Sequence, residues 1–164
     1  MSAATDVDVT TTQVYRVYIK ATPQAIWDAI TQPEWTERYG YGGRGEYELR
    51  PGGTYIAYTS AAMREQGAPD VAIRGEVLEA DPPRKLVHTQ LSHFSPEAEA
   101  EGYSRVTWEI EPVGDSCRVT VVHDQMREGA CEQLYGGWPM ILSGLKTWLE
   151  TGELLTTPGS LMYT

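Results

Sequence analysis

The chain has little of several features that would identify a function class. It contains two cysteines and one phenylalanine among 164 residues, and 13 basic against 23 acidic residues. Two cysteines, Cys117 and Cys131, are too few for a disulfide framework, and we interpret both as small buried apolar residues. No apolar run approaches the roughly 20 residues needed to span a bilayer. The net charge of −10 argues against nucleic-acid binding and against adhesion to an anionic membrane surface.

The amino-terminal segment also lacks a secretion signal. Residues 1–12 are small, polar and acidic, without the basic start and apolar stretch of such a signal. We interpret them as a disordered tail, residues 13–152 as a single domain and residues 153–164 as a second tail. With no signal and few cysteines, the expected location is the cytoplasm.

The first part of the domain predicts one strand followed by two short helices. Residues 15–20 alternate between apolar and polar side chains, which is the period of a half-buried strand. Thr22 and Pro23 then form an N-cap followed by proline at the first helical position. Pro33 begins a second short helix.

The middle of the chain predicts six strands. Residues 44–124 hold short alternating runs separated by Gly, Pro and Asp turn signals, with Gly75 as a candidate bulge. Residues 60–70 and 93–102 are predicted to be long loops. Consecutive strands with no helix between them favour an antiparallel meander.

The last element is predicted to be a long amphipathic helix. Residues 128–135 are expected to form a short helical segment before it, and Gly152 is a natural C-cap. The apolar stripe of the long helix comprises Trp138, Ile141, Leu142, Leu145, Trp148 and Leu149. This order predicts an α+β domain in which a curved antiparallel sheet of about seven strands wraps around the C-terminal helix. One helix cannot fill that concavity, so a cavity between helix and sheet is expected.

Several local motifs carry a family resemblance. They lie at residues 18–23, 26–30, 49–53, 75–87, 106–110 and 137–146. Together they cover most of residues 14–152, and the chain resembles the START-like helix-grip superfamily (SRPBCC), which includes the birch pollen allergen. Within it, the chain is similar to the homologues of the activator of the heat-shock-protein-90 ATPase.

The resemblance implies a pocket and its walls. In that family, the positions of Trp35, Tyr39, Tyr55, Trp108 and Trp138 line the cavity, and we add Ile141 and Leu142 from the stripe of the long helix. Ten tyrosines and five tryptophans suit a flat or amphipathic ligand, because their side chains combine an apolar body with a polar group. The eukaryotic activator has an additional N-terminal domain that these 164 residues do not contain, so a heat-shock ATPase is not the expected partner.

Three histidines are candidates for polar roles. His88 lies mid-strand, and it faces the cavity if Leu86 and Gln90 face inward, or solvent in the opposite register. His123 shares a face with Cys117 and buried valines and is expected at the cavity rim. His93 is expected to be solvated. These histidines lie on separate elements, so no metal site or cofactor is predicted.

No catalytic motif is found, since no serine has an evident base and the carboxylate pairs look solvent-facing. The sequence therefore favours non-enzymatic binding of a small hydrophobic or amphipathic ligand, with a role in a stress response. Two alternatives stay open: an enzyme of the polyketide cyclase or hydrolase type using the same cavity, and a co-chaperone-like module. Exposed sheet edges would also allow a homodimer.

Overall fold

Seven antiparallel strands form one open, curved sheet in the order β1-β7-β6-β5-β4-β3-β2. The computed structural model describes residues 10–127 and 137–156. The strands are β1 (Thr10–Ile19), β2 (Gly45–Tyr47), β3 (Thr54–Tyr58), β4 (Val71–Asp81), β5 (Lys85–Ser92), β6 (Ser104–Val113) and β7 (Ser116–Arg127). Every pair from β2 to β7 is consecutive in the chain, and β7 then pairs with β1. The predicted meander and strand number are confirmed.

Within the described ranges, five helices accompany the sheet. They are α1 (Pro23–Thr31), α2 (Pro33–Thr36), α3 (Ala61–Glu65), α4 (Pro96–Ala100) and α5 (Trp138–Thr151). The Thr22 hydroxyl accepts the Ala25 amide at 3.1 Å and so caps α1 as predicted. Gly152 ends α5 in the left-handed conformation at φ 76°, which also confirms its predicted C-cap role.

The two predicted long loops each contain a short helix, so their interpretation as irregular loops is wrong. Ser60 caps α3 by accepting the Met63 amide at 3.2 Å. Ser95 caps α4 by accepting the Ala98 amide at 3.1 Å. A serine cap in front of Ala- and Glu-containing residues is enough to start one turn of helix, although the turn is too short to show periodicity.

Two strand details also differ from prediction. β1 begins at Thr10, inside the segment predicted to be a tail, because its first residues pair with the end of β7, Thr10 opposite Arg127. Gly75 is not a bulge: the β4–β5 register runs unbroken past it and shifts only between Val77 and Glu79. Gly75 is instead a point of close approach, since a Cβ there would lie 1.8 Å from the carbonyl oxygen of Thr89.

The core lies between the concave face of the sheet and the helices α1 and α5. Its fully buried members include Ile19, Ile26, Leu86, Val106, Val119, Val121 and Leu145. Cys117 is buried as predicted, whereas Cys131 and the predicted helical segment 128–135 lie outside the described residues. None of the described helices is long and apolar enough to cross a membrane.

Candidate functional site

A cavity of about 640 Å³ opens between the sheet and the first turn of α5. Among the described residues that line it, none carries a formal charge. Its eight aromatic lining residues are Tyr39, Tyr41, Tyr47, Tyr55, Tyr58, Phe94, Trp108 and Trp138. A concave, mostly apolar surface with a few polar groups is typical of small-molecule sites.

His88 projects from β5 into this cavity, which decides between the two registers left open by the sequence. The side chain is 1% exposed, and Gln90 lines the same cavity two residues along the strand. His88 Nδ1 lies 2.9 Å from the carbonyl oxygen of Thr89, and a carbonyl can only accept, so Nδ1 carries the proton. Burial, supported by the nearby His123, lowers the pKa of His88 to about 4. The imidazole is therefore neutral at pH 7, and Nε2 is a hydrogen-bond acceptor.

Two tyrosines pack against this imidazole. The rings of Tyr47 and Tyr55 stack 4.4 Å apart because β2 and β3 place these residues opposite each other. The Tyr55 ring is also 4.4 Å from that of His88. Burial raises the pKa of Tyr55 to about 12 and the pKa of Tyr47 well above its usual value, so both phenols stay neutral. The two tyrosine rings therefore form a flat aromatic wall beside the neutral hydrogen-bond acceptor Nε2 of His88.

His123 is fully buried and does not line the cavity, so its predicted position at the rim is wrong. The indole N–H of Trp138 donates to His123 Nδ1 at 3.0 Å, and the ring covers the imidazole. Because Nδ1 accepts, the neutral ring carries its proton on Nε2, which donates to the Ser104 hydroxyl at 2.7 Å. Burial lowers the pKa of His123 to about 4. This tautomer cannot take a proton from Ser104.

Trp108 and Trp138 meet at the inner end of the cavity. Their ring centroids are 5.4 Å apart in an edge-to-face arrangement, with Trp108 on β6 and Trp138 at the start of α5. Trp108 Nε1 is buried and has no hydrogen-bond partner within the described residues. An unpaired buried donor is destabilising by roughly 1–3 kcal/mol, and the surrounding side chains shield this atom from the cavity.

Six of the nine predicted site residues line the cavity, and three do not. The six are Tyr39, Tyr55, His88, Trp108, Trp138 and Ile141. Trp35 is 37% exposed and packs outside the cavity on Trp148, with ring centroids 4.8 Å apart. Leu142 follows Ile141 by one residue, a turn of about 100° on a helix, and this rotation carries it into the core. The ligand contact of the six residues stays a prediction.

Some lining residues were missed by the sequence analysis. Period 2 along β2 and β3 would have added Gly45 and Ala57, which pair with each other across the strands. Met63 and Phe94 belong to the two predicted loops and carry no periodic signal. The 4% exposure of Met63 shows that α3 folds back over the cavity.

A second depression has a different character. It measures about 590 Å³ and is lined by charged residues such as Glu37, Arg44 and Arg64. Arg44 pairs with Glu46 at 3.2 Å, and the Arg64 guanidinium donates to the Thr59 carbonyl. Within the described part of the chain, no three His, Cys, Asp or Glu side chains converge to hold a metal ion.

Comparisons with known proteins agree on the fold. A protein from Mesorhizobium loti, MLL2253, is 24% identical over 88% of this chain and 100% of its own, with a TM-score of 0.68. CalU16 from Micromonospora echinospora is 22% identical over 86% of this chain and 77% of its own, with a TM-score of 0.65. An Aha1 dimer from Colwellia psychrerythraea is 16% identical over 87% of this chain and 98% of its own, with a TM-score of 0.67.

A search of curated proteins finds no match. The family described as activator of Hsp90 ATPase homolog 1-like protein matches residues 20–150. This match confirms the resemblance predicted from the motifs, and the solved relatives confirm the helix-grip fold. The chain belongs to the family of activator of Hsp90 ATPase homolog 1-like proteins.

Proposed function

We propose that this protein binds a small, neutral, hydrophobic or amphipathic molecule in the cavity between the sheet and α5, without transforming it. The observation that carries the proposal is the cavity itself: about 640 Å³, lined by eight aromatic side chains and no formal charge among the described lining residues. Sites for small molecules usually measure roughly 300–1,000 Å³ and combine apolar walls with few polar groups. A charged ligand would lose its hydration there without gaining a partner.

Binding is favoured over turnover because the two buried histidines are poor bases. A general base works best with a pKa near the operating pH, whereas the pKa of His88 is lowered to about 4 by burial. His123 has both ring nitrogens engaged, by Trp138 and Ser104. The cyclase or hydrolase alternative would need a base whose pKa lies near neutral pH, and neither imidazole meets that requirement.

The homodimer considered from the sequence stays a prediction, as does the expectation that a heat-shock ATPase is not a partner. The sheet ends at β1 and β2, and a free strand edge is where a second chain can add its own strand. The Colwellia psychrerythraea relative is described as a dimer. These are statements about assembly and are independent of the cavity proposal.

We predict that filling the cavity abolishes ligand binding. Ala57 lines the cavity from β3, between Gly45 on one neighbouring strand and Ile73 on the other. Ala57→Trp adds an indole where a ligand ring would lie. A thermal-shift panel of neutral bicyclic aromatics, with native mass spectrometry of the hits, should show binding to the wild type. Affinity for 2-naphthol, measured by calorimetry, should fall roughly tenfold or more in the variant.

Ala100→Trp is the matched control, because Ala100 is exposed at the end of α4 and does not line the cavity. It should bind 2-naphthol with wild-type affinity. If no compound of the panel shifts the wild-type melting temperature, the proposed function is wrong. Equal loss of affinity in both variants would place the binding elsewhere.

A further inference from the structure

The neutral imidazole of His88 gives the cavity a hydrogen-bond acceptor. Its Nδ1 donates to the Thr89 carbonyl at 2.9 Å, so Nε2 presents a lone pair. No hydrogen bond to Nε2 is found among the described residues. The side chain is 1% exposed and lines the cavity, so a ligand is the natural partner for this nitrogen.

Nε2 differs from the other polar groups that line the cavity. The Gln90 amide and the tyrosine hydroxyls can both donate and accept, although the Tyr39 hydroxyl already gives its own proton to the Ala29 carbonyl at 2.9 Å. The indole N–H of Trp108 can only donate. The unprotonated Nε2 of His88 can only accept, so it favours a ligand that brings an O–H or N–H group, whereas an acceptor-only ligand leaves Nε2 unpaired.

We propose that His88 selects the ligand by its hydrogen-bond donor: a neutral aromatic molecule bearing a hydroxyl or N–H group donates to Nε2 while its ring packs on Tyr47 and Tyr55. This inference rests on the proposed function and names the class of ligand. Anions are rejected on two grounds, since ionisation removes the proton to be donated and the described lining residues offer no positive charge.

Trp108 adds a further aromatic surface from the neighbouring strand. Leu86 pairs with Trp108 and His88 with Val106, so His88 and Trp108 are diagonal neighbours, and both side chains line the cavity. Diagonal pairs of this kind lie roughly 7–8 Å apart. A ligand bound at His88 would therefore also lie beside the Trp108 ring, whose Nε1 is shielded from the cavity.

The test uses two probes that differ only in the donor. 2-Naphthol can donate a hydrogen bond, whereas 2-methoxynaphthalene has the same ring system and can only accept. Calorimetric titration of the wild-type protein should show 2-naphthol binding about tenfold more tightly, the effect of one net hydrogen bond. His88→Leu should abolish this preference, and His88→Gln, which keeps an acceptor oxygen, should restore part of it.

Nitrogen-15 NMR of histidine in the wild-type protein gives a readout that needs no variant to fold. The Nε2 signal of His88 should move on addition of 2-naphthol and not on addition of 2-methoxynaphthalene. His123 is an internal control, because Ser104 and Trp138 already occupy both of its nitrogens.

Each outcome bears on a different claim. Equal affinities for the two probes, with no movement of the His88 signal, would overturn the donor inference and leave the proposed function intact. Binding of neither probe would overturn the donor inference, and binding of no compound in the panel would overturn the proposed function as well. Tighter binding of 2-methoxynaphthalene would show that Nε2 is not the contact.

Discussion

Lowering the pH from 7 to 5 is expected to destabilise this protein by about 4 kcal/mol, through the two buried histidines alone. Burial lowers the pKa of His88 and of His123 from 6.5 to about 4. Between pH 6.5 and pH 4, both histidines are protonated in the unfolded chain and stay neutral in the folded protein. The stability is therefore fully present above pH 6.5 and is lost as the pH falls through 6.5 toward 4. Urea unfolding at half-unit pH intervals measures the loss.

The pH effect can be divided between the histidines by substitution. In His88→Phe, the loss of unfolding free energy between pH 6.5 and 4 should be about half that of the wild type. At pH 5 the difference in this loss should be roughly 2 kcal/mol. Val77→Ala serves as the control, because Val77 is fully buried opposite His88 and its truncation removes packing without removing a titratable group, so it should lower the curve and leave it parallel to that of the wild type. A wild-type curve that is flat from pH 7 to 5 would mean that neither imidazole is buried in neutral form.

Gly75→Ala is expected to destabilise the fold by about 3 kcal/mol or more, in the range of severe single-residue effects. A Cβ at this position would lie 1.8 Å from the Thr89 carbonyl oxygen and 2.7 Å from its carbonyl carbon. Both are backbone atoms of β5, so relief requires separating two paired strands directly beside His88. Urea unfolding at pH 7 measures the change.

Gly114→Ala is the matched control for Gly75→Ala. Gly114 has φ 62° in the β6–β7 turn, and a Cβ there would meet nothing within 4 Å. Its substitution therefore reports backbone strain alone, about 1–2 kcal/mol. Equal effects of the two substitutions would show that the close approach at Gly75 does not constrain the sheet.

The order of the strands and of α1, α2 and α5 could be predicted from the sequence because each of these elements carried a local signal. Thr22 with Pro23 began α1, and Gly152 ended α5. The helices α3 and α4 were missed because each spans only five residues, less than two turns, which is too short for an amphipathic pattern.

The orientation of His88 could not be predicted for a different reason. Leu86, Val87 and His88 are all buried, so β5 is covered on both faces at this point. Period-2 alternation identifies an inward face only where the other face meets water. Without that contrast, the pattern of residues 85–92 fits both registers equally well.

His123 shows the limit of face prediction. Alternation correctly placed it on the buried face of β7, together with Val119 and Val121. Its depth depends on Trp138, which arrives from α5 and donates to Nδ1 at 3.0 Å. This contact joins two elements that are distant in the chain, so no local sequence pattern in β7 can predict it. The same holds for Trp35, which packs on Trp148 rather than on the cavity.

The central claim is that the aromatic cavity under α5 is a binding site, and intermolecular nuclear Overhauser effects test it most directly. The protein would be labelled with carbon-13 at alanine and isoleucine methyl groups and titrated with 2-naphthol. The cavity-lining methyls of Ala57, Ala72, Ile73 and Ile141 should show contacts to the naphthol ring protons. Contacts confined to methyls outside the cavity, such as that of exposed Ala100, would contradict the account.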